Sequence, residues 1–223
     1  MKQGETLGIV GRTGSGKSTL FELLLRTYDH YDGSIKYNGI DIGDYKLDQL
    51  LEGIGYVPQE NFLFSTNVRE NIRFANPAYT QEQIEDAARI TAIHDDILGF
   101  PNGYDTLVGE RGVSLSGGQK QRISIARAVI TNPELLIFDD SLSAVDAKTE
   151  EEILSNMNQK RHNRTTIISA HRISSVMNAN EIIVLDEGTI IERGTHEQLM
   201  ANNGWYSQMY EKQQLESKLE GDY

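Results

Sequence analysis

Residues 6–25 read TLGIVGRTGSGKSTLFELLL. The apolar run Thr6–Val10 stops at Gly11, as a buried strand would. From Gly11 to Ser18 the chain then fits G-x-x-x-x-G-K-[ST]. Lys17–Thr27 follows, with Leu20, Phe21, Leu23, Leu24 and Leu25, and predicts a buried helix. A glycine-rich loop between a strand and a helix turns tightly enough for successive N–H groups to point inward. The helix adds the positive end of its dipole. Gly11, Arg12, Thr13, Gly14, Ser15, Gly16, Lys17, Ser18 and Thr19 are therefore expected to wrap the phosphates of a nucleotide. Lys17 would reach the β- and γ-phosphates, and Ser18 would offer a hydroxyl to Mg²⁺.

Outward from that loop the pattern alternates. Gly33–Ile42 contains Asn38-Gly39, a hairpin signal. Ile54–Val57, Leu135–Phe138, Thr165–Ala170 and Glu181–Leu185 read as strands. Asp146–Lys160 and Arg172–Ala179 read as helices, and Asp186–Thr189 as a turn into Ile190–Arg193. Strands alternating with helices predict an α/β fold with a mostly parallel sheet covered on both faces. Residues 67–100 interrupt the alternation: they are polar and helical, with Ile84, Ala87, Ala88 and Ile90 at helical spacing. They predict an inserted helical lobe. The charged tail after Trp205 reads as helical and suggests no role.

Composition narrows the function. The chain has 223 residues, 21 Lys and Arg against 33 Asp and Glu, and a formal charge of −12. Such an acidic chain argues against nucleic acid as a partner, since phosphate backbones demand a basic face. There is no apolar run of about 20 residues to span a bilayer. The absence of cysteine excludes disulfides and thiolate metal sites.

Two more motifs stand downstream. Leu135-Leu-Ile-Phe-Asp139 is an apolar strand ending in an acid that would hold hydrated Mg²⁺. Leu115-Ser-Gly-Gly-Gln119 opens a helix-forming run, a second helix N-terminus suited to phosphate. A P-loop, LSGGQ and then a strand-borne acid, in that order, resemble the ABC ATPase family over essentially the whole chain. The resemblance implies a RecA-like P-loop NTPase core, residues 1–60 and 131–200, with an inserted α-helical subdomain, 61–130, and a helical tail, 204–223. It implies ATP and Mg²⁺ as ligands. It also implies head-to-tail pairing with a second ABC nucleotide-binding domain, so that Ser116, Gly117, Gly118 and Gln119 contact ATP held by the partner. Gln59 matches the Q-loop, touching Mg²⁺ and the attacking water. Asp146, in Ser143-Ala-Val-Asp146, matches the D-loop at the dimer seam. His171 matches the switch histidine that contacts the γ-phosphate. Thr106–Gly112 resembles the X-loop of exporters, which meets the coupling helices of a transmembrane domain. That domain would hold the chain at the cytoplasmic face of the membrane.

The departures from the family pattern are informative. Asp140 stands where active members carry the glutamate base, with Asp139 before it as the metal ligand. Aspartate is one methylene shorter, about 1.5 Å, and a misplacement of about 1 Å can cost on the order of a hundredfold in rate. The resemblance therefore points to the impaired half of a heterodimeric exporter, whose own LSGGQ completes the competent site of a non-identical partner. Two readings stay open beside it: an active homodimeric transport ATPase, and a non-transport ABC switch protein. No aromatic residue precedes Gly11 to stack on adenine. The family's N-terminal β-region is thus expected to be truncated, the sheet to have an unpaired edge, ATP binding to be weak, and the chain to be part of a longer polypeptide.

Overall fold

The computed structural model describes residues 1–109, 112–161 and 163–220. In chain order the strands are β1 (Thr6–Gly11), β2 (Lys36–Tyr37), β3 (Ile40–Asp41), β4 (Ile54–Val57), β5 (Leu135–Asp139), β6 (Thr165–Ser169), β7 (Glu181–Asp186) and β8 (Thr189–Gly194). The helices are α1 (Lys17–Leu24), α2 (Leu47–Glu52), α3 (Val68–Ile72), α4 (Gln81–Ile90), α5 (His94–Leu98), α6 (Gly117–Val129), α7 (Ala147–Lys160), α8 (His196–Ala201) and α9 (Trp205–Glu220).

Six strands form one sheet of order β4-β5-β6-β1-β7-β8. All neighbours are parallel except β7 and β8. The period of two in a strand sends neighbouring side chains to opposite faces. Val10, Phe138, Ile168 and Val184 pack on one face with Ile125 and Val129 of α6 and Ile153 and Met157 of α7. Ile9, Ile137, Ile167 and Ile183 pack on the other with Phe21 of α1, Leu50 of α2 and Ile42 from the 3-10 turn before α2. Burial on both faces is why these strands read as continuous apolar runs.

The helices between β4 and β5 have their own hydrophobic cluster, built from Val68, Ile72, Ile84, Ala88, Ile93 and Ile97. Helix α6 belongs to both bodies of packing. Ile123 and Ala126 face this cluster, whereas Ile125 and Val129 face the sheet. One helix can do this because residues three or four apart share a face and neighbouring residues do not.

The Asn38-Gly39 hairpin forms as read, with φ of 50° and 80° at its two turn residues. Glu187 and Gly188 repeat that geometry between β7 and β8. Two helix expectations need correction. The helix after the P-loop ends at Leu24, because Arg26 turns left-handed (φ 56°). Only Lys17 and Phe21 of that helix are buried, and Leu20 is exposed. Arg172–Ala179 forms only a 3-10 turn, Ile173–Ser175. This segment lies against β1 instead: a Cβ on Gly8 would sit 2.7 Å from Val176 Cβ. It then enters β7 through reciprocal bonds between Asn180 and Thr6. Close packing and those bonds take the place of a helix.

Candidate nucleotide site

Strands β4, β5, β6 and β1 run side by side in the same direction, so their C-terminal ends share one edge. Each carries at that edge a residue singled out by its sequence: Gln59 after β4, Asp139 ending β5 with Asp140 after it, His171 after β6, and the P-loop after β1. Such crevices beyond the carboxyl ends of parallel strands are where α/β proteins bind ligands.

The P-loop is built for close approach. A Cβ on Gly11 would lie 2.2 Å from Leu185 O and 2.8 Å from Ser15 Oγ, so only glycine fits there. Gly16 caps α1 in a left-handed conformation (φ 100°) with no side chain across the helix start. The first N–H groups of the helix are therefore left for a ligand. Ser15 Oγ is buried with no partner among the described residues. Below the loop, Gly188 N donates to Ser15 O at 3.0 Å, so the β7–β8 turn supports it. Lys17 is buried and its Nζ donates to Gly11 O (2.9 Å) and Arg12 O (3.0 Å). Burial draws its pKa down from the ordinary ammonium value, while Asp140 and then Asp139 pull it partly back. A bare backbone cradle, an orphaned hydroxyl and a buried cation that has no ion pair among the described residues fit a chain of phosphates. Gly11→Ala is expected to lower stability by about 2–3 kcal/mol or to distort the loop, read as a lower urea midpoint together with lost ATP binding.

The acids come next. Asp139 is buried, and Tyr56 OH donates to its Oδ2 at 3.1 Å. Tyr56 titrates well above the ordinary phenol range, through burial first and the charge of Asp139 second. Asp140 also turns left-handed, with φ 48°. Its Oδ2 lies 3.2 Å from Gln59 Nε2 and 3.8 Å from His171 Nε2. Gln59, Asp140 and His171, far apart in sequence, thus converge on one point beside Lys17.

Ser116–Gln119 lie elsewhere. No hydrogen bond among the described residues joins them to the P-loop. Ser116 caps α6 in a capping box: Gln119 N donates to Ser116 Oγ (3.2 Å) and Ser116 N to Gln119 Oε1 (3.0 Å). Gln119 Nε2 also donates to Asp96 Oδ1 at 2.8 Å, so its amide is committed within the chain. Ser116 and Gly117 are exposed at the helix start. The Ser143–Asp146 stretch packs directly behind them: a Cβ on Gly118 would lie 3.1 Å from Ala144 O. Gln121 Oε1 accepts from Ala144 N at 3.0 Å. Asp146 caps α7, accepting from Thr149 N at 3.0 Å, and that bond lowers its pKa. Of the expected X-loop, Glu110 and Arg111 lie outside the described residues. Thr106 and Val108 are buried and bonded to the start of α3 and the residues before it.

Sequence reasoning missed Tyr56, Asp96 and Gln121, all of which position the residues it found. Only Tyr56 carried a signal, a polar-tipped residue inside a strand two positions ahead of Pro58-Gln59.

The chain matches the family model described as "ABC transporter" over residues 1–143. It is 51% identical over 221 residues to the probable multidrug resistance ABC transporter ATP-binding/permease protein YheI of Bacillus subtilis, covering 99% of this chain and 38% of that protein. It is 52% identical over 220 residues to the multidrug resistance-like ATP-binding protein MdlA of Escherichia coli, covering 99% of this chain and 37% of that one. The structure superposes on a bacterial Atm1-family ABC exporter with ATP bound, with a TM-score of 0.91 and 42% identity, over 95% of this chain and 37% of the exporter. The chain therefore spans less than two-fifths of the length of these relatives. Within the described residues no helix is long and apolar enough to cross a membrane. Its motifs, its strand-end crevice and these likenesses agree: the chain belongs to the ABC transporter family, as the ATP-binding ATPase domain.

Proposed function

We propose that this domain powers an ABC exporter from the cytoplasmic face of the membrane, with a weak hydrolytic site of its own and a signature motif that completes the site of a non-identical partner. The observation that carries this reading is Asp140, which stands in the place of the base beside an otherwise complete P-loop and an intact LSGGQ. The domain divides into a core of residues 1–60 and 131–200 and a helical subdomain of 61–130, with the tail 204–223 beyond.

The residues then take these roles. Backbone N–H groups of Gly14–Thr19 and the ammonium of Lys17 bind the phosphates of ATP and neutralise charge that grows on the leaving oxygen. Ser18, Asp139 and Gln59 form an oxygen-only donor set suited to a hard divalent cation. When bound there, Mg²⁺ supplies charge neutralisation on the phosphate oxygens. Asp140 accepts a proton from water as that water's oxygen bonds to the γ-phosphorus and the bond to the β-phosphate breaks. Gln59 orients Asp140 and the water, and His171 contacts the γ-phosphate. Ser116, Gly117 and Gly118 close on ATP held by the facing domain, Gln119 fixing their helix start from inside. Asp146 stands at the seam.

A membrane domain needs a docking surface, and an aromatic patch that begins three residues beyond Gln59 supports this reading. Phe62 and Phe74 are more than half exposed. Phe64 stacks on Phe74 with centroids 4.1 Å apart, and Arg127 sits over Phe64. Exposed aromatic rings with an arginine are the composition of an interface.

Mixing tests the shared-site reading. The double variant Asp140→Glu with Ser116→Arg has a restored base and a broken signature, and alone it should not hydrolyse ATP. Adding the native chain, with its intact signature, should restore hydrolysis by about tenfold or more over either protein alone. Simple additivity of the two rates would sink the head-to-tail completion.

The alternative, an active homodimer, is favoured by one observation: Gln59 and His171 already converge on Asp140. It makes the opposite forecast for Asp140→Glu, treated in the Discussion.

A further inference from the structure

Helix α9 has no part in the site described so far. Its first turn is tied down firmly. Trp205 N and Tyr206 N donate to Glu192 Oε1 at 2.5 and 3.3 Å. Tyr206 is fully buried, and its hydroxyl lies 2.8 Å from His196 Nδ1. Seven residues on, and so on the same face of the helix, Gln213 reaches the segment after β6. Its Nε2 donates to His171 O at 2.7 Å, and its Oε1 accepts from Ile173 N at 2.9 Å. Between those two bonds, the Arg172 guanidinium donates to Leu142 O (2.8 Å) and Val145 O (3.0 Å) and pairs with the buried Glu150. The backbone on both sides of Arg172 is thus held by Gln213 of α9, while the Arg172 side chain is anchored on the loop after β5 and on Glu150. Among the described residues the His171 ring has no such support. Its side chain is 42% exposed, and its polar neighbour there is Asp140 Oδ2 at 3.8 Å. Where the ring sits is therefore decided by where its backbone is held.

We propose that Gln213 is a positioning residue for ATP hydrolysis: its two-pronged grip on His171 and Ile173 sets where the His171 ring meets the terminal phosphate. This makes α9 a working part of the hydrolytic site. The proposal rests on reading His171 as the γ-phosphate contact.

Two variants of this chain test it, with His171→Ala beside them. Gln213→Leu removes both bonds at similar volume. Gln213→Glu keeps the acceptor for Ile173 N–H but, ionised, sets a carboxylate against His171 O. Single-turnover hydrolysis, the KM for ATP, the thermal unfolding midpoint and the His171 ring proton resonance with Mg-ATP or Mg-ADP are measured for each. The expected result is a fall of about tenfold in the hydrolysis rate for both Gln213 variants, with KM within about twofold. The ring resonance should lose its distinct ATP and ADP positions, while Gln213→Glu keeps its unfolding midpoint. If His171→Ala is slow but both Gln213 variants match the native rate and ring shifts, the positioning role is overturned alone. If His171→Ala hydrolyses like the native chain, the γ-phosphate reading falls and the proposal with it. A raised KM together with a lowered unfolding midpoint in both Gln213 variants would make Gln213 a mere prop and also overturn it.

Discussion

Replacing Asp140 with glutamate is expected to raise steady-state Mg-ATPase activity by about tenfold or more, with ATP affinity unchanged. The carboxylate of Asp140 lies 3.2 Å from Gln59 Nε2 and 3.8 Å from His171 Nε2. It is therefore in the right neighbourhood but on the shorter side chain. The extra methylene of glutamate moves the carboxylate forward by about 1.5 Å, toward the phosphate cradle and its attacking water. The left-handed backbone at Asp140 (φ 48°) does not change with that substitution and is somewhat easier for Asp than for Glu. The cost of that preference should be a small loss of stability, seen as a slightly lower unfolding midpoint. The rate is measured at protein concentrations high enough for pairing, with nucleotide occupancy checked in parallel. A native chain already as fast as the variant at equal occupancy would make Asp140 a sufficient base and would favour the homodimer.

Lys17→Ala should have the larger effect. ATP affinity is expected to fall by about a hundredfold or more, and hydrolysis to drop below detection, because a buried cation paired with phosphate carries about 3–4 kcal/mol of binding and transition-state stabilisation. The stability forecast runs the other way. Without ATP, Lys17 is buried against two backbone carbonyls, and burial pulls its pKa down. Its folded pKa lies below the unfolded value, so as the pH falls through that window the unfolded chain takes up the proton more readily and the fold loses stability. Removing the group removes that penalty. The alanine variant should thus match or exceed the native chain in unfolding midpoint without nucleotide, while gaining nothing when ATP is added. Isothermal titration and thermal unfolding, each with and without Mg-ATP, read both halves. A variant that still gains stability from ATP as the native chain does would show that Lys17 is not the phosphate contact.

These forecasts rest on features of unequal visibility in the sequence. The P-loop was legible residue by residue because its chemistry is local. Gly11, Gly16 and Lys17 act within one strand–loop–helix unit, and glycine at a position that admits no Cβ is written in the sequence as glycine. The strands were legible because burial on both faces leaves a continuous apolar run. The hairpin at Asn38-Gly39 and the insertion with Ile84, Ala87 and Ala88 were legible through turn chemistry and helical period.

What the sequence left open follows from the same physics. Lys17–Thr27 read as a buried helix, yet the helix stops at Leu24 and only Lys17 and Phe21 in it are buried, since which face meets the sheet depends on neighbours the sequence does not order. Helix α8 had a local mark, Thr195 three residues before Gln198, whereas α2 has no side-chain cap and left none. Arg172–Ala179 looked helical until packing against Gly8 and bonds to Thr6 flattened it. The convergence of Gln59, Asp140 and His171 needed the parallel order of β4, β5, β6 and β1, which no single segment encodes. Sequence alone determined the glycine pattern of the loop between β1 and α1 and the identity of the acid after Asp139, because each depends on residue type and near neighbours. Tertiary structure alone decided that Tyr56 holds Asp139 and that Gln213 holds His171, because both are contacts across the chain whose partners are fixed only when the sheet and α9 are in place.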